Sequence, residues 1–164
     1  MIKYINGDVL ESGADVILHQ VNCMGVMGSG VAKQVREKYP HVYDQYHYRC
    51  SLFKDDPSCL LGQIQSIKVD KNKYVVNLFG QLDYGRAKKR YTEYYALRTG
   101  FKHVNFVFSG KSIAIPYRMG CGLGGGDWDT VYKIICEELT DCDVLIYDKE
   151  LDEYYKRCER FDKE

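Results

Sequence analysis

Apolar and polar positions divide the chain into short apolar runs and longer segments of helical periodicity. The apolar runs predict strands at residues 2–5, 15–20, 62–68, 73–79, 112–116 and 144–148. Within the second of these, Val16-Ile17-Leu18 is uninterrupted, which is typical of a strand buried on both faces. The third and fourth strands are joined through residues 70–72 and form a predicted hairpin.

Helical spacing follows several of these strands. A helix of about ten residues carries Val31, Ala32 and Val35 on its apolar side and ends before Pro40, because proline disfavours helical conformation in the residue before it. Further helices are predicted at residues 41–53 and 91–101, from Trp128 onward and at residues 149–160. Residues 104–108 either continue the helix predicted at 91–101 or end it irregularly.

The order of these elements predicts one α/β domain spanning residues 1–164, a three-layer α/β/α sandwich with a central mixed sheet. Lys and Arg together number 23, as do Asp and Glu, so any anion site must be local. No signal peptide or membrane-length apolar run is recognisable, and we expect a soluble cytoplasmic monomer without membrane contact. The seven cysteines show no C-x-x-C pair and no metal-ligand spacing. That pattern favours reduced thiols, and we expect neither a metal nor a cofactor.

Two glycine-rich segments follow predicted strands. The first runs from His19 to Lys33 and contains Gly25, Gly28 and Gly30. Glycine allows close backbone approach, and the N-terminus of the following helix offers unpaired N–H groups with partial positive charge. Such a place suits an anionic ligand, most often a phosphate. An ordinary tight turn between strand and helix explains the same glycines equally well.

The second glycine-rich segment, residues 117–128, is the stronger indication of a ligand. It follows a strand that ends at Pro116 and has glycine at five of the seven positions from 120 to 126. Because glycine is entropically costly to order, this composition favours backbone contact with a ligand over a flexible connector. Asp127 stands where a helix N-cap belongs, and capping is our first interpretation of it.

The known nucleotide-binding spacings are missing. Gly28-Ser29-Gly30 is followed by Lys33 where a dinucleotide motif requires glycine, and the chain has no phosphate-loop G-K-[ST]. We therefore expect a phosphorylated nucleoside held by another loop arrangement. Residues 83–91 form a basic segment with tyrosines, which is more typical of a solvated loop than of a nucleic-acid contact.

The ordered motifs resemble the macrodomain family, the ADP-ribose-binding α/β/α modules, over nearly the whole chain. Within that family the chain is most similar to the branch containing ADP-ribose-1″-phosphate phosphatases and terminal ADP-ribose protein glycohydrolases, whose second loop also reads G-C-G-L or similar. The resemblance is carried by Gly7-Asp8-Val9, by Val21-Asn22-Cys23 leading to Met27-Gly28-Ser29-Gly30-Val31-Ala32, and by Ile115-Pro116 leading to Gly120-Cys121-Gly122-Leu123-Gly124-Gly125-Gly126-Asp127-Trp128.

This resemblance implies a role for each matching position. Asp8 would accept a hydrogen bond from the adenine amine beside the Val9 amide, and Tyr147 or Asp148 would border the adenine. Asn22 would face the distal ribose, and backbone amides of both glycine-rich segments would hold the diphosphate without any arginine. The implied ligand-binding residues are Asp8, Val9, Gln20, Asn22, Gly28, Ser29, Gly30, Val31, Met119, Gly120, Cys121, Gly122, Leu123, Gly124, Tyr147 and Asp148.

The implied catalytic residues are Asn22, Gln81 and Ser29. The glycohydrolases of this branch carry a lysine where this chain has Gln81, and an aspartate after G-C-G-L where it has Gly124. Glutamine cannot form an imine with the opened ribose and glycine cannot accept a proton, so a lysine–aspartate mechanism does not transfer. The remaining route to hydrolysis is a water oriented by Asn22, with Ser29 or Gln81 nearby.

Two functions remain open on these residues. An enzyme would remove phosphate, or a protein or nucleic-acid adduct, from the distal ribose of an ADP-ribose derivative. A binding module would recognise free or attached ADP-ribose without turnover. The missing lysine and aspartate favour the module, whereas an expected single-domain chain without another domain to recruit favours the enzyme, which is our first hypothesis. Two of the polar residues also have simpler interpretations, Asp8 as a turn or helix cap and His19 as a hydrogen-bonded core residue.

Overall fold

The computed structural model describes residues 1–154 and contains a six-stranded mixed sheet with helices packed on its two faces. Neighbouring strands follow the order β1-β6-β5-β2-β4-β3, and all pairs are parallel except the antiparallel β3-β4 hairpin. This confirms the predicted α/β/α sandwich. The strands are β1 (Ile2–Asn6), β2 (Val16–Asn22), β3 (Ile64–Asp70), β4 (Lys73–Gln81), β5 (Ser112–Pro116) and β6 (Asp143–Asp148), and the helices are α1 (Gly30–Lys38), α2 (Pro40–Ser51), α3 (Tyr94–Val107) and α4 (Trp128–Glu138).

Strand β2 explains why its apolar run is uninterrupted. Val16 and Leu18 pack in the core layer beneath α3 and α4, whereas Ile17 packs in the layer beneath α1 and α2. All three side chains are fully buried. Consecutive residues of a strand point to opposite faces, so a central strand with helices on both faces needs apolar residues at every position.

The predicted start of α3 at residue 91 is wrong, because residues 91–93 are extended and bonded to neighbouring segments. Thr92 forms an antiparallel bridge with Gln81, and the Glu93 amide donates to Gly80 O at 2.8 Å. The helix begins at Tyr94 and continues to Val107, so residues 104–107 extend it. Of the predicted final helix at 149–160, residues 151–154 are helical, and the part after residue 154 lies outside the described residues.

The parallel strands β1, β6, β5, β2 and β4 all end at one edge of the sheet. Both glycine-rich segments leave the sheet at this edge, one after β2 and one after β5. Open α/β sheets bind ligands in the crevice outside the carboxyl ends of their strands. No helix within residues 1–154 is long and apolar enough to cross a membrane.

Candidate functional site

A cavity of about 330 Å³ opens at the carboxyl edge of the sheet, at the ends of β2, β4 and β5. This volume is at the small end of the range for small-molecule pockets. Three loops and the end of β2 surround it. We call residues 23–29 the first glycine loop, residues 83–91 the basic loop and residues 117–127 the second glycine loop. The lining residues are His19, Gln20, Val21, Asn22, Val26, Gly28, Ser29, Gly30, Val31, Ala32, Gln81, Tyr84, Gly85, Pro116, Tyr117, Arg118, Met119, Gly120, Gly122, Leu123 and Gly124.

Asn22 anchors the first glycine loop. Its Nδ2 donates to Val26 O at 2.8 Å, and its Oδ1 accepts from the Met24 amide at 3.0 Å. The hydroxyl of the buried Tyr46 donates to the backbone oxygen of Asn22 at 2.7 Å and to Oδ1 at 2.8 Å. The carboxamide oxygen is therefore fully used within the protein, and one Nδ2 hydrogen is left to face a ligand. Toward a ligand, the Asn22 side chain can therefore donate a hydrogen bond but has no oxygen left to accept one.

The N-terminus of α1 presents unpaired amides to the cavity. Within residues 1–154, the amides of residues 28–32 donate no hydrogen bond. Ser29 is the N-cap residue of α1, yet its side chain makes no capping bond, so its hydroxyl is available to a ligand. Gly30 has a φ of 57°, a left-handed conformation that glycine adopts without strain. The loop and the helix terminus therefore offer neutral donor groups of a kind suited to an anion.

The second glycine loop provides another set of amides. Two turn bonds shape it, from Cys121 N to Arg118 O at 2.8 Å and from Gly126 N to Gly120 O at 2.9 Å. In the part of the chain that the structure describes, the amides of residues 120, 122, 123 and 124 donate no hydrogen bond. Consecutive unpaired amides in such a turn form a concave site for anions. Residues of both sets, 28–32 and 120, 122, 123 and 124, line the same cavity.

A side-chain network beneath the second glycine loop ties it to β2 and β4. Gln20 Nε2 donates to Gln81 Oε1 at 2.7 Å and to the Thr92 hydroxyl at 2.9 Å. The Thr92 hydroxyl in turn donates to Gly120 O at 2.7 Å, and Gln81 Nε2 donates to Asp83 O at 2.8 Å. Gln81 is therefore held at both ends of its carboxamide. This geometry makes it a positioning residue for the loops, although its predicted catalytic role stays a prediction.

Gly124 leaves no room for a side chain. A Cβ built on it would lie 2.6 Å from both Gly120 O and the Thr92 hydroxyl. Its own carbonyl accepts from the amides of Tyr91 at 2.8 Å and Thr92 at 3.0 Å, so the backbone cannot shift without losing these bonds. The aspartate of the glycohydrolase branch therefore does not fit at position 124 in this loop conformation. Its replacement by glycine belongs to the packing of the second glycine loop against residues 91 and 92.

The adenine-binding residues implied by the resemblance lie beside the cavity and do not line it. Asp8 Oδ1 accepts from Leu10 N at 3.0 Å and caps the short 3-10 turn Val9–Glu11, while Oδ2 lies 3.3 Å from Lys149 Nζ. Tyr147 and Asp148 end β6, and the Tyr147 carbonyl accepts from Tyr117 N at 2.8 Å. The capping interpretation of Asp8 is confirmed. A role for these residues toward adenine stays a prediction.

Two further residues have structural roles. Cys121 is buried outside the cavity lining, its thiol donates to Met119 O at 3.4 Å, and burial raises its pKa to about 11. Asp127 caps α4 by accepting from the Thr130 amide and hydroxyl at 2.9 and 2.8 Å, and these bonds lower its pKa. Cys121 is therefore a thiol at neutral pH. The interpretation of Asp127 as an N-cap is confirmed.

His19 is a neutral core residue in the cavity wall. Its Nε2 donates to Asn77 Oδ1 at 2.6 Å, because Asn77 Nδ2 itself donates to Gln65 Oε1 at 3.2 Å. Burial lowers the pKa of His19 to about 4. The interpretation of His19 as a hydrogen-bonded core residue is confirmed. Its Nδ1 is buried without a hydrogen-bond partner among the described residues.

Several lining residues were absent from the predicted site, among them Val26, Tyr84, Gly85, Tyr117 and Arg118. Arg118 is the lone lysine or arginine among the described lining residues and is exposed at the rim of the cavity. Its φ of 59° is positive, which is uncommon for a residue other than glycine. Its position between Pro116 and Gly120 could have identified it as a cavity residue, because those two residues belong to the motif that carries the family resemblance.

Comparisons with curated proteins identify relatives that act on ADP-ribose derivatives, according to their names. The chain is 29% identical over 153 residues to the DNA ADP-ribosyl glycohydrolase of Mycobacterium tuberculosis, matching 90% of this chain and 42% of that protein. It is 40% identical over 62 residues to the ADP-ribose 1″-phosphate phosphatase of Aspergillus oryzae, matching 37% of this chain and 30% of that protein. The chain thus spans about two fifths of the length of the first of these relatives.

Solved structures agree with this relationship. A Bacteroides thetaiotaomicron protein of unknown function superposes with a TM-score of 0.79 at 30% identity, over 90% of this chain and 98% of that chain. The macrodomain of Mycobacterium tuberculosis DarG gives a TM-score of 0.72 at 25% identity, over 90% and 97%. The sequence profile of the Macro domain family matches residues 18–135. With both glycine loops inside or at the boundary of that match, the chain belongs to the Macro domain family.

Proposed function

We propose that this chain binds ADP-ribose at the carboxyl edge of its sheet and hydrolyses an ADP-ribose derivative at the distal ribose. One observation carries the proposal: residues of both glycine loops whose amides donate no hydrogen bond among the described residues line one cavity in a Macro domain. A diphosphate carries two negative charges and many acceptor oxygens, which suits two neighbouring sets of N–H donors.

The expected pose follows the order of the strands. The diphosphate lies between residues 28–32 and 120–124, and the distal ribose lies over Asn22, whose remaining Nδ2 hydrogen donates to a ribose hydroxyl. The adenosine extends from the ends of β2 and β5 toward the ends of β6 and β1. This direction is supported by Tyr117, which lines the cavity and bonds through its amide to the carbonyl of Tyr147. Asp8 lies at the far end of that path.

The favoured leaving group is a nucleic acid. The relatives named DNA ADP-ribosyl glycohydrolase match 90% of this chain, whereas the phosphatase of Meyerozyma guilliermondii matches 53% and others match less. In the proposed reaction, water attacks C1″ of the distal ribose and the bond from C1″ to the leaving group breaks. The proton of the attacking water ends on the leaving group or in solvent. Free ADP-ribose and the unmodified nucleic acid are the products.

Few side chains in the cavity can transfer a proton or act as a nucleophile in this step. Catalysis in the proposal therefore rests on positioning of the substrate and water and on stabilisation of charge. Ser29 has the free hydroxyl nearest the helix N-terminus and can hold the attacking water. The loop amides stabilise the diphosphate as the ribose develops positive charge. No carboxylate and no lysine line the described cavity, which supports a route without the imine implied for the lysine-containing branch.

A substrate panel tests the proposal. The purified chain is incubated with ADP-ribosylated DNA, ADP-ribose-1″-phosphate, ADP-ribosyl glutamate and O-acetyl-ADP-ribose, and the products are separated by chromatography. We expect free ADP-ribose to appear fastest from ADP-ribosylated DNA. Release from the 1″-phosphate alone would reassign the chain to phosphatase activity, and no release from any substrate would refute hydrolysis. The Ser29→Ala variant should lower kcat more than it raises KM, because Ser29 is assigned to the attacking water.

A non-catalytic binding module is the second candidate. It is favoured by the side chains of Asn22 and Gln81, which are committed to hydrogen bonds within the protein, and by Gly124, where no side chain fits. Calorimetry with ADP-ribose tests the binding that both candidate functions require. Binding of ADP-ribose without turnover of the panel would support the module. Absence of binding at high micromolar ADP-ribose would refute both.

A further inference from the structure

A second cleft of about 490 Å³ adjoins the main cavity across the second glycine loop. Gly122 and Leu123 line both spaces, so the cleft lies next to the rim of the cavity. The cleft differs from the cavity in its walls, since lysine and arginine side chains form one side of it. Its lining residues are Ala87, Lys88, Lys89, Arg90, Gly122, Leu123 and Gly125.

The cations of the basic loop are exposed and unpaired. Arg86, Lys88, Lys89 and Arg90 form no ion pair with the residues that the structure describes. The acid of the loop, Asp83, lines neither space, and its carboxylate accepts from the amide of Tyr84. Because the whole chain carries no net charge, this cluster of four cations is a local concentration of positive charge.

Aromatic rings hold two of these cations in place. Lys89 Nζ lies 4.5 Å from the ring centre of Tyr91, and the Arg90 guanidinium lies 4.3 Å from that of Tyr94. Cations over aromatic faces lose part of their conformational freedom before any ligand arrives. Two of the three cations that line the cleft, Lys89 and Arg90, are therefore packed against aromatic rings.

Backbone contacts fix the basic loop against the second glycine loop. The amides of Tyr91 and Thr92 both donate to Gly124 O, at 2.8 and 3.0 Å. Gly125 packs so closely on the carbonyl of Lys89 that a Cβ there would collide with it. The cleft and the main cavity consequently share a wall in which the two loops are bonded and packed together.

Tyr84 supplies the remaining feature. It lines the main cavity, is 50% exposed, and makes no ring or hydrogen-bond contact through its side chain among residues 1–154. An exposed aromatic ring beside a row of cations is the arrangement on which single-stranded nucleic acids bind, with bases on the ring and phosphates on the cations. An acidic peptide would satisfy the cations but leave the ring without a partner.

We infer that the second cleft binds the phosphodiester backbone of a single nucleic-acid strand whose modified nucleotide enters the main cavity. The inference rests on the proposed function, since it extends the leaving-group side of the same site. Lys88, Lys89 and Arg90 contact consecutive phosphates, and Tyr84 stacks on a base next to the modified one. These residues act in substrate binding and touch no reacting atom.

The test compares two triple variants that lose equal charge. In the first, Lys88, Lys89 and Arg90 are each changed to Gln. In the control, Lys54, Lys71 and Lys102, which are exposed and away from both spaces, are each changed to Gln. Affinity for an unmodified single-stranded DNA of about ten nucleotides is measured by fluorescence anisotropy at several salt concentrations. Affinity for ADP-ribose is measured separately by calorimetry.

We expect the first variant to lose at least about tenfold in DNA affinity at low salt, with a log–log salt slope reduced by about two. The control and the unchanged chain should retain the full slope, and all three should bind ADP-ribose equally. Equal DNA affinity of the two variants would overturn the inference. So would competition by polyglutamate as effective as that by DNA, since it would identify an acidic protein as the occupant.

The two proposals fail in different ways. Loss of DNA affinity in the first variant without any ADP-ribose binding by the chain would refute the proposed function and leave the cleft assignment intact. Turnover of an ADP-ribosylated single nucleotide, with no preference for an ADP-ribosylated oligonucleotide, would support the proposed function and overturn the cleft. The Tyr84→Ala variant should weaken DNA binding at every salt concentration without changing the salt slope, because stacking releases no counterions.

Discussion

The main cavity and the adjoining cleft are both suited to anions, but they are built from different groups. The cavity presents backbone amides of the two glycine loops, and its described lining includes one exposed cation, Arg118. The cleft presents charged side chains of the basic loop. Backbone amides select a ligand by its shape. Side-chain cations attract the phosphates of a nucleic acid whatever its sequence, and salt screens this attraction. A protein without net charge can therefore hold a specific diphosphate and a non-specific polyanion side by side.

The largest expected effect comes from Gly124→Asp, which would displace the backbone amides of the second glycine loop that line the cavity. The new Cβ would lie 2.6 Å from Gly120 O, so the second glycine loop must move and lose its alignment. We expect ADP-ribose affinity to fall by at least about a hundredfold, the loss of two or more hydrogen bonds to a charged group, as measured by calorimetry. Affinity for DNA should fall less, since the basic loop keeps its charges although its bonds to the Gly124 carbonyl are disturbed.

The matched control for this change is Gly13→Ala. A Cβ at Gly13 meets no atom within 4 Å, and the residue lies away from both spaces. Normal ADP-ribose binding by this control is expected. If Gly124→Asp also bound ADP-ribose normally, the amides of the second glycine loop would not be the diphosphate site.

A pH titration tests whether the cavity wall is neutral. The pKa of His19 is lowered by burial from 6.5 to about 4, so the unfolded chain binds a proton that the folded chain does not between those values. Stability should therefore be complete above pH 6.5 and fall as the pH drops toward 4, by at most about 3 kcal/mol from this group. Urea unfolding at a series of pH values measures it.

The comparison for this titration is His19→Gln against His103→Gln. His103 is exposed on α3 and serves as the control for replacement of a histidine. His19→Gln should flatten the fall between pH 6.5 and 4. A pH dependence that is the same in both variants would contradict the assignment of His19 as a buried neutral group.

A smaller effect is expected at the adenine end of the path. Asp8→Asn keeps an oxygen that caps the turn at Leu10 but removes the charge that the proposed adenine amine would meet. We expect about a tenfold loss of ADP-ribose affinity, the usual range for a hydrogen bond to a charged group, with little change in stability. The control is Lys149→Gln, which removes the partner of Asp8 at 3.3 Å and should not weaken binding. Equal losses in both variants would assign the effect to the ion pair.

The smallest expected effect concerns the anchor of the first glycine loop. Tyr46→Phe removes the hydroxyl that donates to Asn22 at 2.7 and 2.8 Å while the buried ring stays in place. We expect a loss of about 1 kcal/mol in the free energy of unfolding, typical of one hydrogen bond, and a fewfold loss in ADP-ribose affinity. DNA affinity should be unchanged. A variant with lower stability but unaltered ADP-ribose binding would show that Asn22 positions the loop without this bond.

The fold was accessible from the sequence because its signals are local. The run Val16-Ile17-Leu18 identified a central strand, and Pro40 and Asp127 marked helix boundaries through backbone chemistry. The start of α3 was missed because Thr92 is held in extended conformation by a bridge to Gln81, a contact that no local pattern encodes. Periodicity alone cannot detect such a tertiary constraint.

The parts of the candidate site that depend on glycine composition were predictable from the sequence. The parts that depend on which side chains contact one another were not. The two glycine loops lie together as their sequence suggested. That the oxygen of Asn22 is used by Met24 and Tyr46, and that Gly124 is packed against Thr92, became apparent from the contacts in the fold. Arg118 was missed because its conformation depends on the turn around it.

One measurement tests the central claim most directly: the affinity of the unchanged chain for ADP-ribose, by calorimetry, at about 50 and about 200 mM salt. If neutral amides hold the diphosphate, ADP-ribose binds at both concentrations and its affinity changes by less than about fourfold, since Arg118 is the single cation that borders the described cavity. Absence of binding, or a loss as steep as that measured for single-stranded DNA, would contradict it.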